Sequence, residues 1–330
     1  MTQIIRQMLL AALIGVILCG ASDAATKKNG KATPTTTKGA QQKMKTYYMG
    51  RFALDLPEEF KLEIQSQKVR YAEISDFKWR DRARDKEREM LWSQKIAEIK
   101  KLKLPKGKNQ IIIEEVSFTN LGKWAKGVLY FGNYISPRTQ YWTVLIDYGS
   151  TGIWLQIDGI KKDQMAKHFI HLLSHYRYGF SELTKDSFCL NYGRIDLPYM
   201  EQESTYARFA GPMGMKLEIE MNETHQVEEA GLLDSFAASL ATNFAPGVDV
   251  DKIRTGKRKV ADLPGEEIIA RGTDKMGTDL FFAWDYQGKE DSGEYPATQI
   301  TIEESEDEHL EEKIKIWDAA LDSFRPAYKR

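Results

Sequence analysis

Two stretches about 140 residues apart, GRFALDLP (Gly50–Pro57) and GRIDLP (Gly193–Pro198), open the same order of predicted elements. After the first, FKLEIQ (Phe60–Gln65) alternates as a strand. A charged stretch leads to a helix with Trp92, Ile96, Ile99 and Leu102 on one stripe, stopped by Pro105 and Gly107. Strands are predicted at Ile111–Phe118, Lys123–Phe131, Tyr141–Tyr148 and Gly152–Asp158, the last two joined as a hairpin. A second helix presents Met165, Phe169, Leu172 and Tyr176, and the pattern breaks at Gly179.

After the second stretch the order returns: a strand at Met215–Met221, then a helix with Leu233, Phe236, Leu240 and Phe244, stopped by Pro246 and Gly247. Strands are predicted at Arg258–Leu263, Glu266–Gly272, Asp279–Tyr286 and Thr298–Glu304. A closing helix carries Leu310, Ile314, Trp317, Leu321 and Phe324. Leu, an aromatic residue and Arg end both closing helices at the same offsets, Leu173–Arg177 and Leu321–Arg325. The repeat predicts an α+β fold of two tandem related domains, 46–180 and 188–330, each a mainly antiparallel sheet with two helices. In this reading Gly-Arg enters the first strand and Asp-Leu-Pro leaves it, because proline donates no ladder hydrogen bond. The Arg and Asp are read as a local salt bridge or turn.

Residues 1–24 read as a signal peptide: Arg6, an apolar run from Met8 to Ala21, then Ser22-Asp23-Ala24 as a cleavage site. The alternative is a lipoprotein acylated at Cys19, against which stands the bulky Leu18 before it. Residues 25–45, rich in Thr, Lys and Gly, read as a disordered linker. No later run is long and apolar enough to span a membrane. Cys189 is expected to be a buried small hydrophobe.

The near-neutral total of 47 basic and 48 acidic residues hides a division. Residues 25–181 carry a net charge of +13 and residues 182–330 a net of −14. Opposite fields on two parts of one chain steer a partner that is itself unevenly charged. Nucleic acid fits poorly, because the basic stretches are interleaved with acids. The acidic extreme is Glu303, Glu304, Glu306, Asp307 and Glu308, five acids in six positions. Asp307 and Glu308 suit a helix start, but capping does not need all five. The segment is expected to contact a basic patch on a partner.

Catalytic grammar is absent: there is no G-x-S-x-G, no P-loop, no G-x-G-x-x-G, no H-E-x-x-H and no C-x-x-C. His168, His171 and His175 share a helix face, but the outer two are about 10 Å apart along the axis. They read as a solvated or interface face, with a pH-sensitive contact as the alternative. No catalytic residue, cofactor or metal is expected.

The GR-x-x-LDLP opening and its GRIDLP echo, RFAGPMG (Arg208–Gly214), RKVADLPGEE (Arg258–Glu267) and FFAWDYQG (Phe281–Gly288) resemble the immunity proteins of type VI secretion lipase effectors. The group is the one paired with the fourth class of Tle phospholipases. The resemblance implies a periplasmic, non-enzymatic protein that binds a cognate phospholipase effector, one to one. It further implies a two-lobed clamp that holds the lipase lid closed. The competing classes are an envelope metal-dependent hydrolase using the His168 face and a lipid-associated structural module.

Overall fold

A computed structural model of the chain describes residues 43–328 apart from 81–83, 133, 137, 225, 228–229, 244–248, 276 and 305–307. The signal-peptide reading, residues 25–42 of the linker, Phe244, Pro246, Gly247, Glu306 and Asp307 lie outside the described residues. The first half runs β1 (Met44–Met49), β2 (Phe52–Pro57), β3 (Lys61–Val69), β4 (Ala72–Lys78), α1 (Arg84–Lys100), β5 (Ile112–Ser117), β6 (Trp124–Tyr130), β7 (Gln140–Asp147), β8 (Thr151–Gly159), α2 (Lys162–Ser174) and β9 (Tyr176–Tyr178). The second runs β10 (Ser187–Cys189), β11 (Gly193–Asp196), β12 (Ser204–Ala210), β13 (Lys216–Asn222), α3 (Leu232–Asn243), β14 (Asp249–Val260), β15 (Leu263–Asp274), β16 (Gly277–Tyr286), β17 (Ala297–Glu304), α4 (Leu310–Ser323) and β18 (Arg325–Pro326). Element for element the two orders agree, and the fold is α+β.

The large sheet is continuous and antiparallel. Its twelve strands run β14-β15-β16-β17-β13-β12-β3-β4-β8-β7-β6-β5, and β12 beside β3 joins the halves. Strand sequences report how many faces are covered. β17, covered mainly on one face, alternates as TQITIEE does, with Thr298, Ile300, Ile302 and Glu304 inward. β7, with helices on both faces, is buried continuously from Trp142 to Asp147.

Two strands of the large sheet lie where the sequence reading had none. β4 occupies the charged stretch before α1, with Ala72, Ile74 and Asp76 inward, and β12 carries Thr205, Ala207 and Phe209 inward. Arg258–Leu263 is not one strand. Ala261 and Asp262 take φ of 52° and 67° and form the two-residue turn between β14 and β15. β1 begins at Met44, which faces Pro57, so the expected linker ends earlier than residue 45.

The opening hairpins are exchanged between the halves. β2 pairs with β18 at the far end of the chain, and β11 pairs with β9 at the end of the first half. The cores follow this pairing. Phe188, Leu190, Ile195 and Leu197 pack with Val69, Ile146, Leu155, Phe169 and Leu172 of the first half. Conversely, Met49, Phe52, Leu54, Leu56 and Phe60 pack with Phe209, Phe282, Trp284, Trp317 and Phe324 of the second. Phe52 stacks on Phe324 with ring centroids 5.0 Å apart. The two hairpins meet where Gly50 and Cys189 exchange backbone hydrogen bonds of 2.9 and 2.6 Å. Gly50 has φ of 57°, and a Cβ there would stand 2.7 Å from Thr205 Oγ1.

The register corrects the opening motif. Ala53 faces Arg325 in one small sheet, and Arg194 faces Arg177 in the other. Because Arg177 and Arg325 hold the same place after their helices, Arg194 corresponds to Ala53, and Asp196 to Asp55. Asp-Leu-Pro is therefore the repeated element, and the two Gly-Arg pairs are offset by two residues. Asp196 has the expected local partner, Arg194 at 2.9 Å. Asp55 does not: both its oxygens accept from Arg325 at 3.0 Å, across nearly the whole chain.

Burial opposes ionisation of Asp55, but the hydrogen bonds from Arg325 and Thr46 outweigh it and hold the carboxyl below its ordinary value of 3.8. The same balance holds Asp318 of α4 low, against burial, through Arg254 and Arg258. For a carboxyl lowered by folding, the linked stability is present above the ordinary value and is lost as pH falls through the folded one. Melting temperature should therefore fall steeply below about pH 4. An Asp55→Asn, Asp318→Asn variant should be less stable at pH 7 and flatter below pH 4. Parallel melting curves for variant and parent would show that these pairs do not carry the acid response.

Candidate partner-binding face

Cross-strand register shows what shares a face. Leu145, under α1, faces Trp154, and Trp154 faces Ser75. Two residues along, Glu73 faces Lys68, and Lys68 faces Ser204. Beyond Ser204, Tyr206 faces Glu220, and Glu220 faces Gln299. Thr301, next on that side, faces Ala283, which lies in the cluster under α3. Thus α1 and α3 cover the two ends of one sheet face, while α2, α4 and the exchanged hairpins cover the other.

Between α1 and α3 the middle of that face is open and polar. Glu73, Ser75, Lys216 and Glu220 are exposed, and Tyr206, Arg208 and Glu218 are half-buried. Arg208 reaches Glu63 at 3.1 Å. Burial, then the nearby Glu218 carboxylate, pushes the Tyr206 hydroxyl up to about 12, so it stays protonated as a donor. A cleft of about 310 Å³ opens beside α1, lined by Gln65, Glu73, Lys95, Trp154 and Gln156 among others. Such a face offers hydrogen bonds and paired charges of both signs, which suits a protein partner rather than a small apolar ligand.

The acidic residues singled out in the sequence divide. Glu303 faces Lys216 across the ladder and so borders this open face near Glu218. Glu304 points the other way and is buried, its carboxylate 2.6 Å from where a Cβ on Gly214 would sit. Alternation along β17 separates these neighbours, so Glu304 is not part of a surface charge. Glu308 is exposed.

The histidines do not converge. His168 Nε2 meets the Arg70 carbonyl oxygen at 2.6 Å, whereas His175 Nδ1 lies 2.9 Å from the His171 carbonyl oxygen. The His171 and His175 rings pack edge to face at 4.7 Å. Burial and the charges of His175, Arg70 and His168 push His171 below its ordinary value. Among the described residues no group of three His, Cys, Asp or Glu could hold a metal. Cys189 is fully buried, and burial pushes its thiol up to about 12, which leaves little thiolate at neutral pH.

Sequence reasoning missed the buried contacts that join the halves. Arg51 forms a two-pronged pair with Glu203, Nε to Oε2 at 2.8 Å and Nη2 to Oε1 at 2.6 Å. It also donates to the carbonyls of Lys185 and Leu197. Gln67 Nε2 donates to the Cys189 carbonyl at 2.6 Å. No periodic signal marks Glu203, which sits in a polar stretch between Pro198 and β12.

Residues 184–327 match the model of the Tle cognate immunity protein 4 C-terminal domain. The likeness to the Tle cognate immunity protein 4 family is shown for this part of the chain. Its match to the family begins just before β10, so it includes the hairpin that packs into the first half. No curated protein matches the chain. Among solved structures, the fold is that of the apo immunity protein TplEi of the type VI secretion system from Pseudomonas aeruginosa, at 21% identity and a TM-score of 0.68. That match covers 87% of this chain and 98% of the other. The crystal structure of the Tle4–Tli4 complex matches at 20% identity, a TM-score of 0.68 and the same coverage. A TplEi structure complexed with "L" peptide matches at 20% and 0.63, covering 87% and 99%. Among the described residues no helix is long and apolar enough to cross a membrane.

Proposed function

We propose that this protein is a periplasmic immunity protein that binds a cognate type VI secretion phospholipase one to one and inhibits it without chemistry of its own. The family match over residues 184–327 carries this reading, and the fold likeness to the Tle4–Tli4 complex supports it. The halves act as two lobes of a clamp, with the open polar face between α1 and α3 toward the lipase. A lipase must open its lid to reach a membrane. A ligand that binds only the closed form shifts that equilibrium by its differential affinity and need not touch the catalytic serine.

The acidic edge speeds encounter. Replacing Glu303, Glu306 and Glu308 by Gln should slow association several-fold in low salt and leave dissociation nearly unchanged. The difference should vanish near 0.5 M salt, where the Debye length is about 4 Å. Titrating a purified cognate lipase with this protein tests the whole reading. Hydrolysis should stop near an equal molar ratio, and the protein alone should hydrolyse no phospholipid or ester. Inhibition only at large excess, or ester hydrolysis that survives further purification, would count against it.

A further inference from the structure

At one end of the outer strands β5, β6 and β7, two loops form a basic, apolar tip. One follows Lys100 at the end of α1 and carries Lys101, Lys103, Lys106 and Lys108, with no acid from residue 99 to residue 113. The other joins β6 to β7 and has none from 131 to 140. Lys103 Nζ stands 4.4 Å from the Tyr134 ring and Lys108 Nζ 4.6 Å from the Phe131 ring, so the loops are held together. Out of this tip stand Leu102, Leu104, Tyr134 and Ile135, exposed by 40, 39, 51 and 75%. The nearest carboxylates along the chain are engaged, Glu98 by Lys95 at 2.7 Å and Glu114 by Lys162 at 3.0 Å.

We propose that this tip docks on the surface of an anionic phospholipid bilayer. An acidic protein surface would account for the lysines, but it would leave four apolar side chains in water. Lysines interleaved with Leu, Ile and Tyr match both layers of a membrane interface. The apolar groups and the Tyr ring enter the headgroup boundary, while the lysine stems lie along it with their ammonium groups among lipid phosphates. The strands that carry the tip, β7, β6 and β5, are three to five strands from the β3–β12 junction, about 14–24 Å at the usual strand spacing. The tip therefore reaches a membrane while the open face stays free. This places the inhibitor where a phospholipase meets its substrate, and the docking itself does not depend on the inhibitory reading.

Co-sedimentation of the full mature chain with vesicles tests this, comparing phosphatidylcholine alone with phosphatidylcholine mixed with phosphatidylglycerol. Partitioning should favour the anionic vesicles at least tenfold and weaken with salt. Each lysine near such a surface is worth about fivefold, so Lys101→Ala with Lys103→Ala should lower partitioning about 25-fold. Leu104→Ser with Ile135→Ser, on exposed side chains, should lower it on the order of tenfold. Neither variant should change the stoichiometry of lipase inhibition. Equal partitioning to both vesicles, or an apolar variant that binds like the parent, overturns the proposal. Loss of lipase binding in these variants, without vesicle binding by the parent, overturns it too and assigns the tip to the effector.

Discussion

Expressed separately, residues 46–180 and 188–330 are expected not to fold, although they are the two copies of the repeat. The first fragment lacks Phe188, Leu190, Ile195 and Leu197, each at most 7% exposed in the core it would need to build. Four such side chains contribute roughly 6–12 kcal/mol, comparable to the whole net stability of a typical domain. The second fragment lacks Met49, Phe52, Leu54, Leu56 and Phe60. Residues 61–198, by contrast, contain the entire first core and the cluster under α1 without a break. That fragment should show a single cooperative urea transition, whereas 46–180 should show none. Mixing 46–180 with 188–330 should restore structure, because each supplies the other's hairpin. Cooperative unfolding of 46–180 alone would mean that the exchanged hairpin is dispensable. In the proposed clamp, one lobe would then be a continuous segment and the other would be closed by both ends of the described chain.

The second large effect is expected at the buried pair between the halves. Arg51 and Glu203 are 9 and 8% exposed, and the guanidinium donates to both carboxylate oxygens and two carbonyls. Removing one partner strands a charge in the interior, so Glu203→Leu or Arg51→Met alone should cost about 3–5 kcal/mol. Replacing both should cost much less than the sum, because the apolar pair strands no charge, although the Lys185 and Leu197 carbonyls lose a donor. Urea midpoints for the four members of this cycle give the coupling. Additive losses would mean that the residues act through separate contacts.

Element types were legible where side-chain period is a local property. The Met165–Phe169–Leu172 stripe and the alternation of Thr298–Glu304 are read directly from spacing, and both are borne out. Tyr176 fits the same stripe but begins β9, because a helix-period residue and an inward strand residue both supply an apolar side chain to one core. β4 was hidden because its outward positions, Glu73 and Ser75, lie on the open face and give the stretch a polar look. The exchange of hairpins was not legible at all. Each hairpin would meet an equivalent closing strand and an equivalent apolar core in either half, so periodicity is the same for both arrangements. Eight residues lie between β9 and β10, a connection short enough for the β10–β11 hairpin to fold back so that β11 pairs with β9. The candidate face was half visible. Glu303 could be placed at a strand end, but the burial of Glu304 depends on register against β13, and the polar face itself is assembled from strands of both halves.

The antiparallel pairing of β2 with β18, with Ala53 opposite Arg325, makes the described chain a closed loop stitched near its two ends. Closing a flexible loop of this length costs roughly (3/2)RT ln n, a few kcal/mol of entropy, and the cost falls on the last step. A chain that emerges N-terminus first presents its earliest hairpin long before the strand that completes it exists. The middle segment can finish its own core while the first hairpin waits with an uncovered edge and an apolar face. A truncated chain is thus recognisable by that waiting hairpin, and only a full-length one can hide it.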